Sequence, residues 1–230
     1  MKIAVFSATE FELLPFLDFL ESDCHKTSAN SYSIGNHHIE IHITGIGMSE
    51  TSYYLGRNLS RNHTDFAIQI GIAGAIDRNL MLTDVYAVNS DFEYDLGFEE
   101  SDGSLHRFFD TGLMDANQFP FVHGKLHHTG IHEFPFFSSV SGMTVNRVHG
   151  SAQSIQLLLE NPPAQIETME TAPFFKACLR EQIPFLCLRA ISNYVEIRNR
   201  ENWKVKESIE KLNEQLIQLI SVLCSKTEDL

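Results

Sequence analysis

The sequence is short of positive charge. Seventeen Lys and Arg face 30 Asp and Glu over 230 residues, a formal net charge of −13. A phosphate backbone is bound through clustered Lys and Arg that release counterions, so nucleic acid is excluded as a partner and an anionic membrane surface is disfavoured. Cysteine is sparse as well. Cys24, Cys178, Cys187 and Cys224 are dispersed and never form a CxxC pair, which excludes a zinc ribbon or a disulfide framework and fits reduced thiols in a cytoplasm. No apolar run approaches the ~20 residues of a membrane span. Glu10 and Glu12 interrupt the apolar opening MKIAVFSATEFELLPFL, so it does not read as a secretory signal. Repeats, linkers and low-complexity segments are missing. What is left is an acidic globule that acts on a small molecule.

With 43% apolar residues, the chain has the composition and size of one domain over residues 1–230. Its periodicities alternate between strand and helix. Residues 2–7 read as a buried strand, and Phe11 to Leu20 as a helix that Pro15 forces to begin late. A hairpin is predicted at 31–35 and 37–44 around Gly35-Asn36, then a helix at 48–60 and strands at 65–71 and 83–90. Residues 91–136 are less periodic. Strand 138–145, helix 151–160, strand 164–168, helix 171–181, strand 184–191 and a terminal helix over 203–224 follow. In that helix Val205, Ile209, Leu212, Leu216, Leu219 and Leu223 recur at spacings of three or four, a core-facing stripe. The pattern predicts an α/β fold: a central, mostly parallel but mixed, twisted sheet with helices on both faces.

Ligands of such sheets bind beyond the carboxyl ends of the strands. The stretches there are Ala8 to Glu12, Gly71 to Ala75, Ser141 to Asn146, Met169-Glu170 and Ser192-Asn193. Gly45-Ile-Gly47 opens a helix, but Glu50 stands where a dinucleotide fingerprint needs its third glycine, so it reads as a packing turn. His38, Glu40 and His42 alternate on one strand and could hold a metal. The same alternation marks the solvated face of a strand over Ile39, Ile41 and Ile43, and that is the reading adopted. No G-x-S-x-G elbow or P-loop occurs. Glu10 reads as a helix-capping charge. Glu170 sits in an apolar run, METAPFF, where a carboxylate needs partners, and a sugar diol supplies two hydroxyl donors.

Five segments in order carry a resemblance: KIAVFSATEFE, TGIGMSETSYYLG, QIGIAGAI, ETMETA and LRAISN. Together they resemble the nucleoside phosphorylase/nucleosidase superfamily, in particular 5′-methylthioadenosine/S-adenosylhomocysteine nucleosidases. SNYVEIRNRENW and GMTVNRVHG resemble the futalosine hydrolase family, the menaquinone-pathway branch. The resemblance implies hydrolysis of the N-glycosidic bond of a 5′-modified inosine, with no metal and no organic cofactor required. Glu12 would be general base on water, Met169 and Glu170 would hold the ribose, and Ala73 and Gly74 would form the turn beside ribose and water. Asn193, supported by Ser192, would stabilise the leaving base, and the backbone at Val145 and Asn146 would line its pocket. Arg189 would position the water, with a structural ion pair as the open alternative. A homodimer is implied by resemblance alone.

Two departures from the adenine-specific pattern bear on substrate. Asn193 replaces an Asp, and its amide N–H groups suit the O6 and N7 acceptors of hypoxanthine. Ile72 replaces a Ser in the glycine turn. Neither 3–25 nor 69–76 contains Lys or Arg, which favours water over phosphate as nucleophile. A nucleosidase acting on adenine nucleosides, a purine nucleoside phosphorylase and a nucleoside-binding protein are the alternatives. For the 5′ group, Arg107, Lys125, Arg147, Arg198 and Arg200 are equal candidates to meet a carboxylate, and the Phe-rich 119–137 stretch could wall an aromatic ring or belong to a core or subunit interface.

Overall fold

The computed structural model describes residues 1–101 and 104–225. The single-domain expectation over 1–230 also takes in 102–103 and 226–230, which lie outside the described residues. In chain order the elements begin with β1 (Lys2–Ser7), a 3-10 turn at Glu10–Leu13, α1 (Leu14–Asp23), β2 (His25–Ser28), β3 (Ser31–Ile34), β4 (His37–Ile43) and α2 (Met48–Leu59). Next come β5 (Phe66–Ala75), β6 (Val85–Asp91), β7 (Gly97–Glu99), β8 (Leu105–Arg107), β9 (Leu126–His127) and β10 (Ser139–Thr144). The chain continues through α3 (Ala152–Glu160), β11 (Ile166–Thr168), α4 (Thr171–Glu181), β12 (Phe185–Tyr194) and α5 (Val205–Ser225).

Ten strands share one sheet, with the path β11-β10-β6-β12-β5-β1-β4-β3-β2 and β9 beside β6. The centre is parallel, β12 to β5 to β1 to β4, while β6 runs antiparallel to β12. Alternation sets the two faces. Ile3, Val5, Ile68, Ile70, Leu186 and Leu188 meet α1 and α5 in one core. Ala4, Phe6, Ala67, Phe185 and Cys187 meet α2 and α4 in the other. The predicted α5 stripe is buried at Ile209, Leu212, Leu216 and Leu219. Among the described residues no helix is long and apolar enough to cross a membrane.

At one end the mixed sheet closes on itself. β11 pairs with β10 on one side and antiparallel with the far end of β5 on the other, so β5, β12, β6, β10 and β11 close into a ring. Two long strands make this possible. β5 and β12 each run ten residues, past the predicted ends at 71 and 191, and the register slips between Ile191 and Asn193. Such an irregularity bends a strand and increases its twist. The hairpin gains a third strand, β2, whose residues are all exposed and so carry no alternation to detect. His38 is exposed and Ile39 and Ile41 are buried, but Ile43 is 36% exposed at the strand's end. Lys2 pairs with Glu40 at 2.9 Å and His42 stacks on Phe6. The Phe-rich stretch is absent from the ligand cavity: Phe121, Phe134 and Phe137 are buried in the two cores, while Phe119 and Phe136 are exposed.

Candidate active site

Glu12 takes its geometry from the turn after β1. Its Oε2 accepts the Thr9 N–H at 3.2 Å, the Thr9 hydroxyl at 3.0 Å and the Ser7 hydroxyl at 3.1 Å, while Oε1 accepts the Ile72 N–H at 3.1 Å. Thr9 and Glu12 thus form a capping box, and Glu12 takes the capping role expected of Glu10, which is exposed. The turn is clamped from behind by Asn213, a polar break in the α5 stripe. Its Nδ2 donates to the Glu12 carbonyl at 2.9 Å, and its Oδ1 accepts the Phe16 N–H at 3.1 Å, one of the donors left free in the first turn of α1. Sequence reasoning passed over Asn213, although an amide inside an apolar stripe is the signal of such a clamp.

Arg189 stands opposite Gly71 in the β12–β5 register. A Cβ on Gly71 would lie 2.6 Å from Arg189 Nη1 and 3.1 Å from Glu12 Oε1, so the bare glycine is what lets guanidinium and carboxylate close on one point. Arg189 is 2% exposed and donates to Gln69 Oε1 at 2.7 Å and to Thr171 Oγ1 at 3.0 Å. It therefore lies behind the cavity wall, next to Glu12.

Glu170 caps a different element. Its Oε1 accepts the Gly47 N–H at 2.8 Å, at the start of α2, where Gly47 adopts φ 90°, a conformation suited to glycine. The Gly45-Ile-Gly47 turn thus serves a carboxylate of the protein. Burial pushes the Glu170 carboxyl above the usual range and Glu12 adds to that, while Arg189 and the Gly47 N–H pull it back. Asn193 is fixed by its neighbour: Ser192 Oγ donates to Oδ1 at 2.9 Å, and Nδ2 donates to the Tyr194 carbonyl at 2.9 Å. One amide N–H of Asn193 is then left for an acceptor.

These groups surround a cavity of about 310 Å³, at the small end of ligand pockets. Its wall includes Glu12, Ile72, Ala73, Gly74, Met169, Glu170, Ser192 and Asn193. Val145 and Asn146 are not in it. Val145 is 1% exposed in the cluster beneath α3, and the Asn146 N–H is spent on Asp95 at 2.8 Å. The chain runs on, and Val148 and His149 reach the cavity in their place. The Glu167 carboxylate accepts the His149 N–H at 3.1 Å and also pairs with its Nδ1, a buried couple that sequence reasoning missed because 18 residues and one helix separate the two. Of the five cations considered for the 5′ end, Arg198 alone lines the cavity, its guanidinium 4.9 Å above the Trp203 ring. Arg107 is paired with Asp110 at 2.7 Å.

Carboxylates and an amide on the wall of one small cavity are compatible with the N-glycosidic chemistry of a nucleoside. A futalosine hydrolase of Thermus thermophilus is 28% identical over 188 residues, covering 77% of this chain and 79% of that protein. One of Streptomyces coelicolor is 29% identical over 163 residues, or 69% of this chain and 66% of that protein. Among solved structures, futalosine hydrolase of Helicobacter pylori aligns with a TM-score of 0.74 at 13% identity, over 96% of this chain and 97% of that one. S-adenosylhomocysteine nucleosidase of Streptococcus pyogenes also reaches 0.74, at 17% identity over 97% of each chain. The structural likenesses show that the chain shares their α/β fold. With its family profile matched from residue 2 to residue 225, the chain belongs to the phosphorylase superfamily.

Proposed function

We propose that the chain is an N-glycosidase that hydrolyses futalosine, a 5′-modified inosine, to hypoxanthine and dehypoxanthine futalosine in menaquinone biosynthesis. The observation that carries this reading is the Glu12 carboxylate, held by four hydrogen bonds from Ser7, Thr9 and Ile72 on the wall of a cavity that Glu170 and Asn193 share. Glu12 takes a proton from water, and the oxygen attacks C1′ of an oxocarbenium-like ribosyl centre as the bond to the purine nitrogen breaks. Met169 packs on the ribose and Glu170 accepts its 2′ and 3′ hydroxyls. The departing electron pair goes to the base, which the free Asn193 N–H stabilises at O6 or N7. Ala73 and Gly74 line the ribose and water. Arg189 acts through Gly71 and Glu12 as a positioning residue, since its Nε and Nη2 donors are held by Gln69 and Thr171 behind the cavity wall.

Arg198 and Trp203 at the cavity edge suit an aryl carboxylate at the 5′ position: a cation for the charge, a ring for the arene. The three relatives described as futalosine hydrolases support the same substrate. We further propose one domain over 1–230, acting as a homodimer in the cytoplasm; sedimentation tests the dimer. The test of function is base release in phosphate-free buffer, with futalosine, inosine, 5′-methylthioadenosine and S-adenosylhomocysteine offered separately. Hypoxanthine from futalosine alone is the expected result. Adenine release moves the assignment to the adenine-specific nucleosidases, a phosphate requirement to a phosphorylase, and silence in both buffers to a binding protein.

A further inference from the structure

Glu167 and His149 are left without a task by that mechanism, although both line the cavity. Glu167 is 5% exposed, and its carboxylate accepts the His149 backbone N–H at 3.1 and 3.3 Å as well as pairing with Nδ1. A carboxylate on Nδ1 fixes the neutral imidazole in the tautomer protonated there, which leaves Nε2 as an acceptor. Tyr94 packs edge-on against the ring, with centroids 5.5 Å apart, so its orientation is set from two sides.

Strand register puts this couple across from Asn193. Glu167 pairs with Gly74, and Gly74 pairs with Asn193. The side chains of Glu167 and Asn193 therefore rise from the same face, two strand spacings or about 10 Å apart. Between them Gly74 presents no side chain; a Cβ there would lie 3.3 Å from Asn193 Nδ2. The gap suits a flat bicyclic base lying between two polar walls.

We propose that His149, oriented by Glu167, is a base-specificity residue whose Nε2 accepts the N1–H of a 6-oxopurine while Asn193 donates to O6 or N7. The proposal rests on the nucleosidase reading of the site. A 6-oxopurine carries hydrogen at N1, whereas a 6-aminopurine presents a lone pair there. Lone pair would face lone pair, so His149 adds rejection of adenine to the attraction of Asn193 for hypoxanthine.

The experiment measures kcat/KM for futalosine and for its 1-deaza analogue, in which C–H replaces N1–H, with wild type, His149→Ala and His149→Gln. In wild type the deaza substitution lowers kcat/KM roughly 10- to 100-fold, the range for a buried hydrogen-bond partner left unpaired. In His149→Ala the same substitution costs less than about 3-fold, because the acceptor has already gone. His149→Gln, whose amide oxygen can accept the same hydrogen, restores most of the discrimination. A purely structural His149 would slow both substrates alike and leave their ratio at the wild-type value, and that result overturns the proposal. Wild type that releases no hypoxanthine from futalosine itself overturns the nucleosidase reading and the proposal together.

Discussion

Glu12→Gln separates the chemistry of the site from its architecture. The substitution keeps side-chain size and one acceptor oxygen. Placed where Oε2 now stands, that oxygen retains the Ser7 hydroxyl and both Thr9 donors, and the new NH2 then faces the Ile72 N–H that Oε1 accepts at 3.1 Å. In the opposite rotamer the NH2 faces the Thr9 N–H instead, while the Ser7 and Thr9 hydroxyls turn to accept from it, so the substitution sets one backbone donor against another donor in either orientation. Its structural cost is one backbone donor facing another donor, about 1–3 kcal/mol of stability. The kinetic cost is loss of the general base, roughly 10²- to 10⁴-fold in kcat/KM, or about 3–5 kcal/mol of barrier. Hypoxanthine binding should change less than about 3-fold, since a weakened neighbour with no contact to the base adds little. Chromatographic hypoxanthine release, calorimetric binding and a urea melt read the three quantities on one preparation. A variant that keeps more than about a tenth of wild-type kcat/KM refutes Glu12 as the base, because that is below the least a general base contributes.

Other substitutions probe the surrounding groups. Gly71→Ala puts a Cβ 2.6 Å from Arg189 Nη1 and 3.1 Å from Glu12 Oε1. The expected cost is about 1–3 kcal/mol in a denaturant melt, with kcat falling at least about 10-fold as the carboxylate is displaced; a variant matching wild type in both would show that the close approach has no consequence. Asn193→Asp should raise adenine release from 5′-methylthioadenosine relative to hypoxanthine release from futalosine, and an unchanged ratio removes Asn193 from base selection. Asp91, fully buried with Oδ2 unpartnered, has its carboxyl pushed by burial up to about 8 from 3.8. Such an acid binds protons more tightly folded than unfolded, so it lowers stability as pH rises from about 4 to about 8, by up to about 1.4 kcal/mol per pH unit, and no further above that. Asp91→Asn cannot ionise and should gain on wild type across that window in urea melts; a pH-independent difference would contradict the assignment.

Strands and helices of six or more residues were legible because burial imposes a period on them. In β1, Ile3 and Val5 go to one core and Ala4 and Phe6 to the other, and the α5 stripe is as regular. The 91–136 region resisted because its strands β7, β8 and β9 run only two or three residues, too few to show alternation. The ring closure was hidden for another reason: β11 has three residues, and its second partner is a strand end far back in the chain, with Ile166 against Ala75 and Glu167 against Gly74. Nothing local in either segment encodes it.

The same distinction governs the site. Groups that sit on a strand end or in the turn beyond it could be located from the sequence, since the carboxyl edge of a parallel sheet is a place that topology alone defines. Glu12, Met169, Glu170, Ser192 and Asn193 are of that kind, and all line the cavity. Val145 and Asn146 satisfied the same rule, yet β10 ends beneath α3, where Val145 is needed for packing. The edge rule holds for an open sheet; on the closed side of this one the chain meets the ligand space only further along, at Val148 and His149. The curvature that displaced the expected contact is also what brings Glu167 and Asn193 into one row across Gly74. A site that reads both edges of a base therefore depends on the ring, a feature of the fold that periodicity could not supply.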